Sequence, residues 1–380
     1  MTNLLFFGDF VCQEPEKLIF SAEISGLISA SDVVYCNCEA PIKGVGCPIA
    51  KSGPALTQSE DSPKCLEDEG FNLIGLANNH MLDMGVGGFE ATIKSFHKAT
   101  TLGAGKKGDV YGVKKLEISG LTLGFLSLTH KEFGTLNDEA SDDEQGTAWI
   151  NSSAVNRSIM KAKDMCDYLF VLPHAGVENV DIPLPEWRIR YREFIDLGAD
   201  AVIASHPHVP QGWEEYQGKP IHYSLGNFIF DSFSNTHGPY WNKGLGVKVT
   251  IEDDGKISYE TLNVKYENHV LDIDKSTQAE EHDRYLCSLL TDSKAYNEAL
   301  EKALYALWRD EYQLYLLRGL GSVSLNTSKN TFIHSAYGVL KGMDIPMLLN
   351  NFQCESHRWA IERFLRYKIR SLVSTKKWAS

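Results

Sequence analysis

The chain has 380 residues, 43% hydrophobic and 23% charged, with a formal net charge of -13 and a pI near 5.4. That length exceeds the usual single core and predicts one large domain with a smaller appendage. The acidic balance excludes a general nucleic-acid binder, which needs a basic field.

The chain begins MTNLLFFGDF, an apolar run that stops at Gly8-Asp9 and is too short for a secretory leader. No window approaches the roughly 18 uninterrupted apolar residues of a membrane span, so a cytoplasmic protein is expected. Apolar, β-rich runs at 4–7, 33–36, 73–76, 123–128, 168–172 and 201–204 read as buried strands. Helix-period patterns lie between them at 16–30, 62–69, 88–99, 152–165 and 184–197. That alternation implies βαβ units and a sheet covered by helices. Runs 213–216 and 220–225 flank Gln217-Gly218, and runs 245–251 and 257–262 flank residues 253–256. Both are hairpin signals, and they predict a second, more antiparallel sheet packed on the first. The fold class expected is therefore α/β, a two-sheet sandwich flanked by helices.

From about residue 275 the pattern is helical, at 277–290, 293–318 and 344–373, with a polar break at 322–331. The division expected is a sheet-bearing domain over 1–270 and a helical C-terminal subdomain over 271–380. Its last stretch, HRWAIERFLRYKIRSLVSTKKWAS, is basic and amphipathic. A solvated basic face is the plain reading; contact with an anionic membrane surface or an acidic polymer is the functional one. Cys36 and Cys38 lack the spacing of a zinc knuckle or a redox pair, and are expected to pack as small apolar side chains.

Metal-competent residues fall just past the carboxyl ends of the expected strands. Asp9 follows the first, Glu39 the second, and Asn79-His80 the third; His174 follows the fifth, and His206 and His208 the sixth. In an α/β sheet the carboxyl edges line up, so loops leaving them meet in one crevice. One Asp, one Glu, one Asn and three His form an N/O set suited to divalent Mn, Zn, Fe or Co. Two cations close together need a bridging carboxylate, and Glu39 is placed to be it. Such a pair acidifies a nucleophilic water. His80, beside Asn79, is placed as general acid, with Asp83 three residues on to orient it.

Phe7-Gly8-Asp9, Asn37-Cys38-Glu39 and Leu76-Ala77-Asn78-Asn79-His80 recur in order with His174-Ala175-Gly176. Ser205-His206-Pro207-His208-Val209-Pro210 and Tyr223-Ser224-Leu225-Gly226-Asn227-Phe228 complete the set. Over residues 3–265 this ordered set resembles the CapA family. The resemblance implies a metallophosphatase-like, calcineurin-like fold and a part in capsule or poly-γ-glutamate synthesis. It implies metal ligation by Asp9, Glu39, Asn79, His174, His206 and His208, with Asn227 lining the site. Lys51 matches a basic position able to meet an anionic small-molecule or polymer substrate. Phosphoesterase relatives carry Asp-x-His at the first motif, and Asp9-Phe10-Val11 offers no histidine. The function expected is a metal-dependent, phosphoester-cleaving hydrolase of cell-surface polymer (polysaccharide) biosynthesis, using two Mn, Zn or Fe ions. The alternatives are γ-glutamyl amide hydrolysis or transfer on poly-γ-glutamate, and a non-enzymatic scaffold with a degenerate metal site.

Overall fold

A computed structural model describes residues 1–232, 238–320 and 344–376. The chain divides into two compact units, Met1–Ile49 with Ala55–Ser293 and Ala50–Pro54 with Lys294–Ser380.

In the first unit one sheet has nine strands. Its order is β2 (Ile19–Phe20), β18 (Val270–Ile273), β17 (Ile257–Glu267), β16 (Lys243–Ile251), β1 (Thr2–Val11), β3 (Val33–Cys38), β4 (Leu73–Gly75) and β5 (Thr100–Leu102). The ninth, β15 (Asn227–Phe230), pairs in parallel with the end of β1. A six-stranded sheet runs β13 (Trp213–Tyr216), β14 (Lys219–His222), β12 (Ala201–Ile203), β11 (Tyr168–His174), β8 (Leu121–Thr129) and β7 (Lys114–Ile118). A small sheet joins β6 (Ala104–Lys106), β10 (Gln145–Ala148) and β9 (Thr135–Leu136).

The large sheets meet through Leu4, Phe6, Val33 and Leu73 on one side and Phe125, Phe170, Leu172 and Ile203 on the other. Helices α1 (Ala22–Ser29), α2 (Ser62–Glu69) and α3 (Gly85–Ser95) cover the opposite face of the nine-stranded sheet, sending Ile24, Leu66 and Phe89 against Leu5 and Phe7. A single turn, α4 (Lys107–Val110), adjoins the small sheet. On the six-stranded sheet, α5 (Ser153–Lys163) packs on β11 and α6 (Pro185–Leu197) on β12. Helix starts follow their caps: the Ser21 side chain accepts Ile24 N–H, and Ser152 accepts Ala154 N–H.

The result is the expected α/β sandwich of two sheets between helices. The hairpins, however, do not form a separate antiparallel sheet. β16 pairs antiparallel with β1, so the β16–β17 hairpin extends the nine-stranded sheet. β14 pairs in parallel with β12, so the β13–β14 hairpin ends the six-stranded one. The pattern expected as one helix over 16–30 instead passes through a 3-10 turn (Pro15–Lys17) and the strand β2, and its helix starts only after the Ser21 cap. Cys36 and Cys38 are buried in the apolar core as free thiols.

β1 carries the detail on which the site depends. Leu5 and Phe7 face the helices while Leu4 and Phe6 face the other sheet, the alternation of a strand buried on both sides. The pairing of β1 with β3 slips between Phe6 and Asp9, and that with β15 between Asp9 and Phe10. After this bulge Phe10, not Asp9, rejoins the helix-facing row. Without it Asp9 would share a face with Leu5 and Phe7 and point into hydrocarbon. Gly8 permits the bulge, because a Cβ there would lie 1.9 Å from Gly226 O.

The helix α7 (Thr277–Thr291) lies beyond residue 270 yet belongs to the first unit, packed on β13; a Cβ on Gly212 would fall 2.6 Å from Leu286 O. From Lys294 on, the described residues of the second unit are mostly helical: α8 (Ser293–Leu307) continues through a π turn (Trp308–Tyr312) into α9 (Gln313–Leu320), and α10 (Ile345–Gln353) and α11 (Glu355–Lys376) lie later in the chain. Its core stacks Trp308 on Phe364 at 4.5 Å, with Leu300, Leu304, Tyr312 and Ala360 buried. The polar break at 322–331 and the last four residues of the basic stretch lie outside the described residues. Among the described residues no helix is long and apolar enough to cross a membrane.

Candidate metal centre

Parallel pairing sets where the loops emerge. β1, β3, β4 and β15 run parallel in one sheet, and β8, β11, β12 and β14 in the other. Asp9 sits at the bulge of β1, Glu39 directly after β3, Asn79 and His80 in the loop after β4, and His174 ends β11. His206 and His208 follow β12, both in left-handed backbone with φ of 101° and 58°. Non-glycine residues held there cost roughly 1–3 kcal/mol each and persist where the surroundings enforce them. Part of the enforcement is the bond from His206 N–H to Asp9 Oδ2, 3.0 Å.

The structure brings Asp9, Glu39, Asn79, His174, His206 and His208 together, all buried. His174 Nδ1 lies 3.0 Å from Asn37 Nδ2, 3.1 Å from Ser205 Oγ and 3.3 Å from Asp9 Oδ1. Its Nε2 then faces Asn79 Oδ1 at 3.1 Å, His206 Nδ1 at 3.1 Å and Glu39 Oε1 at 3.4 Å. Tetrahedral ligands about 2.0 Å from one ion lie roughly 3.3 Å apart, which matches these separations. His208 Nε2 lies 3.5 Å from Glu39 Oε1. Asp9, Glu39 and His174 form one cation-sized group and Glu39, His206 and His208 another, so Glu39 is the residue they share.

Among the described residues neither Glu39 oxygen has a hydrogen-bond donor, although both are buried. Lone pairs converging in a dry site repel unless positive charge stands among them. The electrostatics say the same. Burial and the nearby Asp9 charge push the Glu39 carboxyl up to about 8. Burial alone would depress His174, but Glu39 and Asp9 outweigh it and hold the imidazolium up to about 10. Both groups keep protons where a cation could stand. Burial drives His206 well below its ordinary value, aided by His130, and takes His208 down to about 4. Neutral imidazoles are what metal ligation requires. The donor set therefore fits a divalent cation.

His80 and Asp83 form a buried pair, with Nδ1 to Oδ2 at 2.7 Å, and Leu56 N–H also binds that oxygen at 2.7 Å. Asn227 engages both ends of its amide: the oxygen takes His208 Nδ1 at 2.9 Å, and the nitrogen donates to Trp241 O at 2.9 Å. It thereby orients the His208 ring and leaves Nε2 toward Glu39. Lys51 groups with the second unit.

The profile of the family described as bacterial capsule synthesis protein PGA_cap matches residues 6–232. The chain belongs to that family. The match covers both strand sets and every candidate ligand. The capsule biosynthesis protein CapA of Bacillus anthracis is 32% identical over 218 residues, covering 55% of this chain and 53% of that protein. The PGA biosynthesis protein CapA of Bacillus subtilis is 33% identical over 218 residues, covering 55% and 56%. The chain thus spans about half the length of the curated relatives it matches. Among solved structures, a 5'-nucleotidase from Candida albicans overlays with a TM-score of 0.42 and 11% identity over 79% of this chain and 58% of that one. That overlay is too loose to carry fold or function across.

Several members of the cluster escape the ligand list read from sequence. Asn37 donates through Nδ2 to Asp9 Oδ1 at 2.8 Å, and Asn78 braces Asn37 and the Cys38 carbonyl. His130, buried directly after β8, lies with its ring 4.3 Å from that of His206. The strand-exit rule that finds the other candidate residues also finds His130, once β8 is carried on to Thr129.

Proposed function

We propose that the chain is a metal-dependent hydrolase that cleaves a phosphoester in capsule or other cell-surface polymer synthesis. Asp9, Glu39, Asn79, His174, His206 and His208 would hold two divalent ions of Mn, Zn or Fe, Glu39 being the residue common to the two candidate groups. The observation carrying this reading is the donor-free Glu39 carboxylate amid lone-pair atoms at coordination spacing. Bound divalent ions supply Lewis-acid polarisation and lower the pKa of a nucleophilic water. The chain's own contribution is geometric and protonic. Asn227 and Asn37 fix His208 and Asp9 before substrate arrives, and Asp83, accepting His80 Nδ1–H, offsets the charge of a doubly protonated ring, whose Nε2–H would be the proton given to the leaving oxygen.

The family's description supports a part in capsule synthesis, and the name of the Bacillus subtilis relative, a PGA biosynthesis protein, favours a second reading: cleavage or transfer of a γ-glutamyl amide, with His80 protonating the leaving amine. Exposed Arg358, Arg366, Lys368 and Arg370 on α11, with Leu365 and Ile369 exposed among them, support peripheral contact with an anionic surface. Truncation after Arg358 abolishes binding to anionic liposomes on that reading; unchanged binding rejects it.

The central test is a substrate panel on the full chain loaded with Mn or Zn, setting phosphate mono- and diesters against γ-glutamyl peptides. Phosphoester turnover that disappears in His206→Ala is the expected result. Turnover that survives this change rejects metal hydrolysis, and a chain that takes up no ion leaves a binding scaffold.

A further inference from the structure

Beside the centre just described lies a group that the ligand motifs do not include. β8 and β11 pair so that Thr129 stands opposite His174, and the next residue, His130, binds back through its N–H to His174 O at 3.2 Å. Glu132 is held in the following turn, its N–H on Thr135 Oγ1 at 3.2 Å. The pair closes with His130 Nε2 and Glu132 Oε1 at 3.1 Å, both side chains at most a tenth exposed. His206 stands between two imidazoles, its ring 4.3 Å from His130 and 4.7 Å from His174, edge-on to each. One ligand atom from each of His130, Glu132 and His206 lies within 4.8 Å of the others.

We propose that His130, Glu132 and His206 form a further divalent-cation position adjoining the centre and sharing His206 with it. Two imidazoles and a carboxylate are a zinc-type set, and three protein ligands leave a coordination place open. The 3.1 Å approach of His130 to Glu132 is close to the roughly 3.3 Å edge of a tetrahedral site. His206 turns Nδ1 to His174 at 3.1 Å. The position extends the centre toward the exit of β8 and gives the buried His130 a role the six-ligand set leaves out.

The inference rests on the metal-centre reading, and the test separates the two. Zinc stoichiometry is measured on the full-length chain stripped with chelator and reloaded, with thermal melts to verify folding. His130→Gln and the near-isosteric Glu132→Gln each hold one equivalent fewer than wild type. Asp9→Asn, which damages the centre, holds one equivalent more than the double variant Asp9→Asn with His130→Gln. Wild-type stoichiometry and affinity in folded His130→Gln and Glu132→Gln overturn the proposal, leave a plain hydrogen-bonded pair, and do not touch the centre. A wild-type chain that takes up no zinc overturns both.

Discussion

Glu39 and Glu67 are both buried acidic side chains of the first unit, and their surroundings are opposite. Glu67, on α2, receives three backbone N–H groups on one oxygen, from His97, Lys98 and Ala99 at 2.7, 2.6 and 2.8 Å. Burial works to raise its carboxyl, but those donors outweigh it and hold the group below its usual range. Glu39 is buried beside the Asp9 charge, with His174 Nε2 no nearer than 3.4 Å, and its carboxyl goes up. A carboxylate saturated by backbone donors ties a turn, here the link from α3 to β5. One stripped of donors is stable as an anion only with a cation beside it. Asp9 falls between, with Asn37 on one oxygen and the His206 amide on the other.

The largest effect expected is at Glu39. Changing it to Gln removes the anion shared by both ligand groups, so ion affinity falls by at least about 100-fold, beyond the loss typical for outer supporting residues. The metal-free protein loses no stability, because a neutral amide needs no counter-charge. Calorimetric titration and melting of the stripped protein read both halves. Wild-type affinity, or a clearly lower melting temperature without metal, breaks the contrast. Asp9→Asn sharpens it by doing some of each. Ion affinity drops about tenfold or more, and metal-free stability drops by about 1 kcal/mol from the weakened bonds to Asn37 and His206. A pure binding or a pure stability phenotype places Asp9 wholly with one of the two glutamates instead.

How far the sequence shows this contrast depends on what each feature rests on. The strand exits are legible because buried parallel strands are apolar runs, and a Glu, Asn or His at their ends stands out. Asp9 is legible as a motif residue, yet its direction is not, because β1 runs on to Val11 and the bulge depends on how close Gly8 comes to Gly226. His130 is missed because its strand, expected to end at Leu128, extends to Thr129 and its exit goes unread. The hairpins are legible as hairpins, while the sheet each joins is decided by edge pairing far away in the chain. Glu67 gives no signal at all, since its donors are backbone amides on another element and any residue type there would supply them.

That makes Glu67→Gln the smallest effect and the sharpest control. An amide oxygen still accepts, but the charge that strengthens the three bonds is gone, for a cost of about 2 kcal/mol and no change in ion affinity. The sign of its pH dependence follows from the lowered carboxyl. The stabilisation is fully present above the ordinary value of 4.5 and is lost as the pH falls through the still lower folded value. Wild type therefore melts above Glu67→Gln at neutral pH, and the gap closes in acid. Glu39 in the metal-free protein has the opposite sign, since a raised carboxyl withdraws stability as the pH climbs from 4.5 toward 8. Melting the stripped wild type, Glu67→Gln and Glu39→Gln from well below 4.5 up to 8 distinguishes the two. A Glu67→Gln gap that persists unchanged in acid shows that its three donors are met by shape rather than charge.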